Sequence, residues 1–599
     1  MNYLKNSFIN TMDFLRSTKE YFRDVLLLHG FIVFIFLPLL GSLTRIILQK
    51  NNINYLSYDN LPNLLTQHPL GLLSLLLILL LILTAVYFEF TFLLLSVFFI
   101  KKREPISLRQ LLRITTGQLR KVRPITILFF LFYFVLLAPI TGLNFHSDIL
   151  SRVKIPAFIM DFIFANRLLI VASFILLYVC LLYLGIRFVF ALPEMILRNR
   201  PFRLSLKESW QLTRKRFFAL IGQGVFIGGT LLLLSSIAIS IVLFAQMLFD
   251  QYLPNEALVS AVFAMTFLQA IILLNLILST VGIFYIIVDF MDDEGFLPDI
   301  PESFVPEKLK KQRGSLHYSL FFIVTLFFGI SVSLYNYAYL TSASTTTPIT
   351  VSHRGVSEKN GAQNTLPALE NTSTTEKPDY VEMDIQETKD KQFIVVHDFN
   401  LKNLTGLDKK PQELTLKQLE NLTVKENGTS APLVSFDSYL KEADKLNQKL
   451  LIEIKTTDLD SPDLVERFTK KYGQDILNKG HIIQSLTYQT VTDLKRIEPK
   501  FYVGYILPFN VVGPPITTAD FLTMEYSTIN RSFIDSAHSD GKKVFVWTIN
   551  DSDAINRMMF YGVDGIITDD MTLLNQTIES NTGEITYSDK LLHFVLGVR

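Results

Sequence analysis

Cysteine is almost missing from this chain: Cys180 is the single example in 599 residues, so no intramolecular disulfide can form. A disulfide-stapled secreted scaffold is thereby excluded, although a cysteine-free exported domain is not. Net charge is nearly absent as well, at +1 from 56 basic and 55 acidic residues. Without a global positive field, a nucleic-acid partner is not expected. A cleavable export signal is not expected either. Residues 1–24 are polar, and the apolar stretch that follows is too long for a signal core and has no clear small-residue cleavage site, so it reads as a signal anchor.

What is present is unevenly distributed. From about Val25 to Leu340 the chain is dominated by Leu, Phe, Ile and Val, whereas from Thr341 onward charged and polar residues separate short apolar runs. A membrane-spanning helix needs roughly 20 apolar residues. Seven stretches qualify: 25–48, 70–100, 124–144, 168–196, 217–249, 258–290 and 317–340. The stretch 70–100, with Glu89 near one end, fits either one long helix or two half-spans. The expected architecture is therefore an N-terminal all-α polytopic membrane domain (1–340, about seven spans), a Ser/Thr-rich linker (341–348) and a C-terminal domain (349–599).

Basic residues alternate between connections. Lys101, Lys102, Arg103, Arg109, Arg113, Arg120, Lys121 and Arg123 crowd one, and seven more from Arg198 to Arg216 crowd another. Lys308, Lys310, Lys311 and Arg313 end a third, and Lys5, Arg16, Lys19 and Arg23 precede the first span; the intervening connections are nearly bare. Positive residues resist translocation, so the rich set is expected in the cytoplasm. Seven spans then leave the N-terminus cytoplasmic and the C-terminal domain outside. The linker, TSASTTTP, reaches only about 25–30 Å when extended, which would keep that domain near the bilayer and its lipids. Polar residues inside the spans (Glu89, Arg187, Gln223, Gln246, Gln269 and Asn275) either line a pathway or headgroup cleft, or make hydrogen bonds between helices or snorkel to the interface. The tail from Leu591 to Arg599 is apolar and is expected to pack on the outer domain rather than touch lipid.

About 250 residues suffice for one closed (β/α)8 TIM barrel. Nine strand-like runs recur: ITVSHRG, YVEMDIQ, FIVVHD, LLIEIKT, HIIQSL, FYVGYIL, FLTMEYS, KVFVWTIN and DGIITDD. Only a short turn separates YVEMDIQ from FIVVHD, so the latter is expected as a hairpin return strand, leaving eight for the barrel. His353 and Arg354, Glu382 and Asp384, His397 and Asp398, and Glu453 and Lys455 all stand at the ends of these runs, which a parallel barrel gathers on one rim.

Residues two apart on a strand face the same way, so Glu382 goes with Asp384 and Glu453 with Lys455. Each alone has a duller account, as a capped loop histidine, a solvated rim acid or a local salt bridge. Together, three converging carboxylates require a cation, and an oxygen-only shell suits Mg²⁺ or Ca²⁺. His353 and His397 can exchange protons near neutral pH, and Arg354 and Lys455 can bind phosphate oxygens.

The motifs His353-Arg354-Gly355, Asn364-Thr365, VEMDIQETKD, VVHD, IEIK, VWTIN and GVDGIITDD, in this order across about residues 350–575, resemble the glycerophosphodiester phosphodiesterase family. The resemblance implies a (β/α)8 barrel with one divalent ion held by Glu382, Asp384 and Glu453. It implies His353 and His397 as the acid/base pair, Arg354 and Lys455 on the phosphate, and Trp547 lining the substrate, a position equally suited to barrel core. It also implies a reaction in which the neighbouring glycerol hydroxyl attacks phosphorus, giving a cyclic intermediate that water opens. Gln363 departs from the pattern, since the family usually has Glu before Asn-Thr. The hydrophobic half looks like the multi-span domain fused to some bacterial members. The expected function is hydrolysis of glycerophosphodiesters (deacylated phospholipids, lipid headgroups or glycerol phosphate polymers) at the outer membrane face. The alternative is a lipid transporter or receptor that binds a phosphodiester without cleaving it.

Overall fold

A computed structural model of the chain describes residues 2–51, 66–104, 106–119, 159, 168–300, 315–342, 347–358, 360–426, 428–509, 513–581 and 586–597. The chain forms two compact units, one built from most of residues 1–341 and the other containing residues 342–599.

The N-terminal unit is helical. Among the described residues, five helices are long and apolar enough to cross a membrane: Tyr21–Lys50, Pro69–Lys101, Ile170–Leu197, Arg216–Tyr252 and Ala257–Asp293. An unbroken helix satisfies its own backbone polar groups, which is what an apolar solvent demands. The stretch 70–100 is one helix of 33 residues rather than two half-spans. The stretch 317–340 lies within the helix Ser315–Ser342, which also takes in the first two residues of the expected linker. The stretch 124–144 falls outside the described residues. The helix Phe202–Tyr252 breaks its regular geometry at Arg216 (φ −122°, ψ 15°), where an amphipathic segment gives way to the apolar run, and Arg216 pairs with Glu294 at 3.0 Å.

The polar residues of the spans are largely committed to one another. Gln269 and Asn336 exchange hydrogen bonds at 2.9 and 3.0 Å, and Asn336 also donates to Thr266. Gln246 donates to Asp250 and to the Ala257 carbonyl and accepts from Ser260. Gln223 donates to Asp289, and Arg187 donates to the Trp210 carbonyl while lying 4.1 Å from its ring centroid. Glu89 is buried and Asn275 half-buried. Of the two accounts of these residues, hydrogen bonding between helices describes most of them.

The second unit is a closed barrel. Its strands are β1 (Ile349–Ser352), β2 (Tyr380–Glu387), β3 (Phe393–Val395), β4 (Thr423–Glu426), β5 (Thr429–Pro432), β6 (Leu450–Ile454), β7 (Ile482–Ser485), β8 (Val503–Leu507), β9 (Phe521–Glu525), β10 (Lys543–Trp547) and β11 (Gly565–Thr568). Eight of them pair in parallel in the order β1-β2-β6-β7-β8-β9-β10-β11, and β11 returns to β1. β3 runs antiparallel to β2, as the hairpin reading expects. The separate β4–β5 hairpin was not foreseen from the sequence.

Val351, Leu451, Ile482, Phe521, Phe545 and Ile567 fill the barrel interior, and a larger apolar layer packs between strands and helices. Gly504 has no space for a side chain, because a Cβ there would overlap the Phe521 ring. Asn530, Asp551 and Asp570 each accept from a backbone amide three residues on and so start the helices that follow, a stabilisation of about 1 kcal/mol apiece. The tail forms a helix, Tyr587–Gly597, with Leu591 and Val595 buried and His593 stacked on Phe560. It packs on the barrel, as expected.

Candidate active site

The order of strands explains why distant motifs meet. β2 and β6 are neighbours in register, with Asp384 opposite Glu453. Glu382, Asp384 and Glu453 each offer an oxygen, and these oxygens lie within 4.8 Å of one another. Burial, and then the charges of Asp384 and Glu453, raise the Glu382 carboxyl well above the usual range. Burial pushes Asp384 upward too, but Lys455, His397 and Arg354 outweigh it and hold this acid well below the usual range. Three acids so placed repel one another, and positive charge among them favours their ionised forms.

The basic groups reach the same acids from two sides. Lys455, two residues after Glu453, lies 3.5 Å from Asp384 and 3.4 Å from Glu453. Burial works against its charge, but Glu453 and Asp384 outweigh burial and raise its pKa. Arg354 follows β1 in a tight turn where it takes φ +53° and Gly355 takes φ +73°. A side chain at Gly355 would come within 2.9 Å of the Tyr439 hydroxyl, so glycine is required there on two counts. The turn directs the Arg354 amide to Glu382 at 2.9 Å and brings its Nε to 3.8 Å from Asp384.

Both histidines have Nδ1 beside an aspartate. His353 Nδ1 lies 2.7 Å from Asp569, whose other oxygen accepts from Asn550 at 2.8 Å. Asp569 is held down at about 2, because His353, Asn550 and Arg354 outweigh the opposing effect of burial. His397 Nδ1 lies 3.0 Å from Asp398, and burial lowers the His397 pKa despite the carboxylates around it. The loop carrying His397 is pinned by Gln386, whose amide donates to the carbonyls of Val396, His397 and Asp398 at 3.0–3.1 Å. Trp547 ends β10 half-buried against the interior cluster, with its indole N–H donating to the Thr523 carbonyl at 3.3 Å.

All eight charged and histidine residues noted at the strand ends in the sequence therefore belong to the rim of one barrel. Sequence reasoning missed their supports: Asp569, Asn550, Gln386, Asn364 and Glu426. Asn364 donates to Asp384 at 2.8 Å and accepts from its amide at 3.2 Å. Four of these carried a usable signal. Gln386 continues the i, i+2 series from Glu382 and Asp384, and Asn364, Asn550 and Asp569 belong to the motifs Asn364-Thr365, VWTIN and GVDGIITDD. Glu426 is far from its partner in sequence and had none.

The donor set fits a hard divalent cation, being made of carboxylate oxygens only. Asp384 Oδ1, Arg354 Nε and Tyr439 Oη are buried with no hydrogen-bond partner, and all three belong to the surroundings of these acids. Such atoms are expensive unless a ligand completes them. A doubly esterified phosphate matches what the rim offers, namely cationic groups for its oxygens and two proton carriers for the alcohols on either side. By class, then, this is a phosphodiester hydrolase.

Comparison with known proteins specifies it further. A family described as "Membrane domain of glycerophosphoryl diester phosphodiesterase" matches residues 7–334, and the "Glycerophosphoryl diester phosphodiesterase family" matches residues 353–573. The chain belongs to the glycerophosphoryl diester phosphodiesterase family, in the form that carries a membrane domain, and it is a multi-pass membrane enzyme of that activity.

Among curated relatives, a glycerophosphodiester phosphodiesterase of Caldanaerobacter subterraneus is 28% identical over 241 residues, covering 38% of this chain and 96% of the relative. One from Bacillus subtilis is 23% identical over 246 residues, covering 37% and 83%. A solved glycerophosphodiester phosphodiesterase from Parabacteroides distasonis is 23% identical, covers 39% of this chain and 98% of its own, and superposes with a TM-score of 0.34.

Proposed function

We propose that the enzyme cleaves glycerophosphodiesters on the outer face of the membrane with the help of one divalent cation, releasing glycerol phosphate and an alcohol. Glu382, Asp384 and Glu453 would hold the cation, whose chemistry is to polarise the phosphate and lower the energy of the charge that develops on it. Arg354 and Lys455 bind the non-bridging oxygens and carry part of that charge. Trp547 lines the glycerol side.

Proton movement falls to the histidines. With Nδ1 of each ring engaged by an aspartate, Nε2 is left as the atom that exchanges a proton, and the same tautomer is favoured at both positions. One imidazole takes the proton of the glycerol hydroxyl beside the phosphate as its oxygen attacks phosphorus. The other gives a proton to the departing alcohol. The cyclic product is then opened by water with the two roles reversed. Because the attacking hydroxyl is tethered to the phosphate, little entropy remains to be lost.

The single observation that carries this reading is the cluster of three carboxylates from two adjacent strands, flanked by two histidines with matching Nδ1–aspartate contacts. His353→Ala and His397→Ala should each lower glycerol phosphate release about 100- to 10,000-fold with the protein still folded. Near-normal turnover in either variant would remove that residue from the mechanism.

The outer-face location rests on the alternation of basic connections in the sequence, and protease accessibility of the barrel in right-side-out vesicles tests it. Binding without cleavage is the weaker reading, since a pure binding site needs no pair of histidines and most of the polar intramembrane residues bond to groups on neighbouring helices.

A further inference from the structure

We infer that Glu426, on the β4–β5 hairpin outside the barrel strands, positions the phosphate-binding arginine, acting on Arg354 through the side chain of Gln363. The inference rests on the assignment of Arg354 to the substrate phosphate.

Arg354 is pulled toward the acids by its own surroundings, with its amide on Glu382 and its Nε 3.8 Å from Asp384. The opposing hold comes from Gln363 Oε1, which accepts from Arg354 Nη1 at 2.5 Å. Gln363 is gripped in turn by one carboxylate. Its Nε2 donates to Glu426 Oε1 at 3.0 Å, and its backbone amide donates to Glu426 Oε2 at 2.9 Å.

The orientation of this amide has one solution. A guanidinium only donates and a carboxylate only accepts, so the oxygen must face Arg354 and the nitrogen Glu426. A carboxylate on its N–H side polarises the amide and strengthens its oxygen as an acceptor.

Glu426 is itself well placed to act as an anchor. It is the last residue of β4, opposite Thr429 across a turn in which Gly428 takes φ +75°. Beside it Val424 is buried in a small apolar cluster with Ala362, the neighbour of Gln363. Hairpin and loop are thus fastened together beneath the contact.

The arrangement fixes the direction of the guanidinium without placing a carboxylate directly on it. A carboxylate at position 363 would hold Arg354 directly. Here a neutral amide makes that contact, and the anionic anchor stands one residue further away, at Glu426. This explains how glutamine serves at position 363, provided that Glu426 is present.

The test uses the full-length protein in detergent, glycerophosphoglycerol as probe, and inorganic phosphate as inhibitor. Glu426→Gln should raise KM and weaken phosphate inhibition about tenfold each, with kcat changed less than about threefold, since binding of the ground-state phosphate is what suffers. Moving the carboxylate inward, with Gln363→Glu added to Glu426→Gln, should bring KM back to within about threefold of the parent, because the arginine regains an anionic anchor.

Arg354→Ala is the reference and should cost at least about 100-fold in kcat/KM. If Arg354→Ala is nearly inert, the assignment of Arg354 fails and the inference with it. If Arg354→Ala is crippled while Glu426→Gln keeps its KM, the relay alone is wrong. A loss confined to kcat, accompanied by a lower unfolding temperature and not recovered in the double variant, would reduce Glu426 to a structural residue and also overturn the relay.

Discussion

In the helical unit, Asp289 is 2% exposed and accepts from Lys101, Asn10 and Gln223, donors on three other helices. In the barrel, Asp384 is 1% exposed, stands beside two more carboxylates, and has one oxygen with no hydrogen-bond partner. Both are buried aspartates with a lysine close by. The first is saturated by its surroundings, and the second has a lysine 3.5 Å from an oxygen that no hydrogen bond reaches. A completed network holds helices together in an apolar medium; an incomplete one is poised for a ligand, at some cost to the folded state. Comparing the two shows which buried charges to assign to architecture and which to chemistry.

The largest effect that sharpens this contrast is at the acids. Glu382→Gln or Asp384→Asn should lower turnover at least about 1,000-fold while leaving the unfolding temperature unchanged or higher, since mutual repulsion is relieved. A variant that loses stability and activity together would make these acids structural and erase the distinction. The converse is expected at Asp289. Asp289→Ala leaves three donors without their acceptor and Lys101 with only Asp292, 3.8 Å away, so the helical unit should lose about 3 kcal/mol. Its effect on glycerol phosphate release per folded molecule should be negligible. Equal loss of both would show that the helical unit contributes to the chemistry.

The barrel also buries a histidine away from the acids, and its effect is somewhat smaller. His481 Nδ1 accepts from the Leu450 amide at 2.9 Å, and burial pushes the ring down to about 4. The folded state therefore refuses a proton that the unfolded chain accepts below about 6.5. Stability should be complete above that pH and fall as the pH drops from about 6.5 to about 4, by roughly 3 kcal/mol. Unfolding of the barrel followed across this range checks it, and His481→Gln should flatten that part of the profile. An unchanged slope in His481→Gln would assign the acid sensitivity to other groups.

Much of this was legible in the sequence, for physical reasons that differ between the units. Runs such as 70–100 must be helical because an apolar solvent leaves the backbone no other partner, and the uninterrupted helix Pro69–Lys101 follows directly. In the barrel, the period of two along β2 and β6 put Glu382 with Asp384 and Glu453 with Lys455 before any strand was placed. The return of β3 was readable from its short turn. What stayed hidden depends on contacts between segments far apart in sequence. Asp569 reaches His353 across 216 residues, and Glu426 reaches Gln363 across 63 from a hairpin whose exposed, alternating residues resemble loop. Likewise, Gln246 and Gln269 could be weighed between a pathway and a helix contact only after Ser260 and Asn336 were seen beside them.

The most direct test of the central claim, that three carboxylates from β2 and β6 hold one divalent cation needed for cleavage, is turnover by the full-length protein after chelation, with its metal content verified by elemental analysis. Glycerol phosphate release should vanish in the stripped protein and return on addition of Mg²⁺ or Ca²⁺, with one ion bound per chain. Undiminished release by protein shown to be free of metal would contradict it.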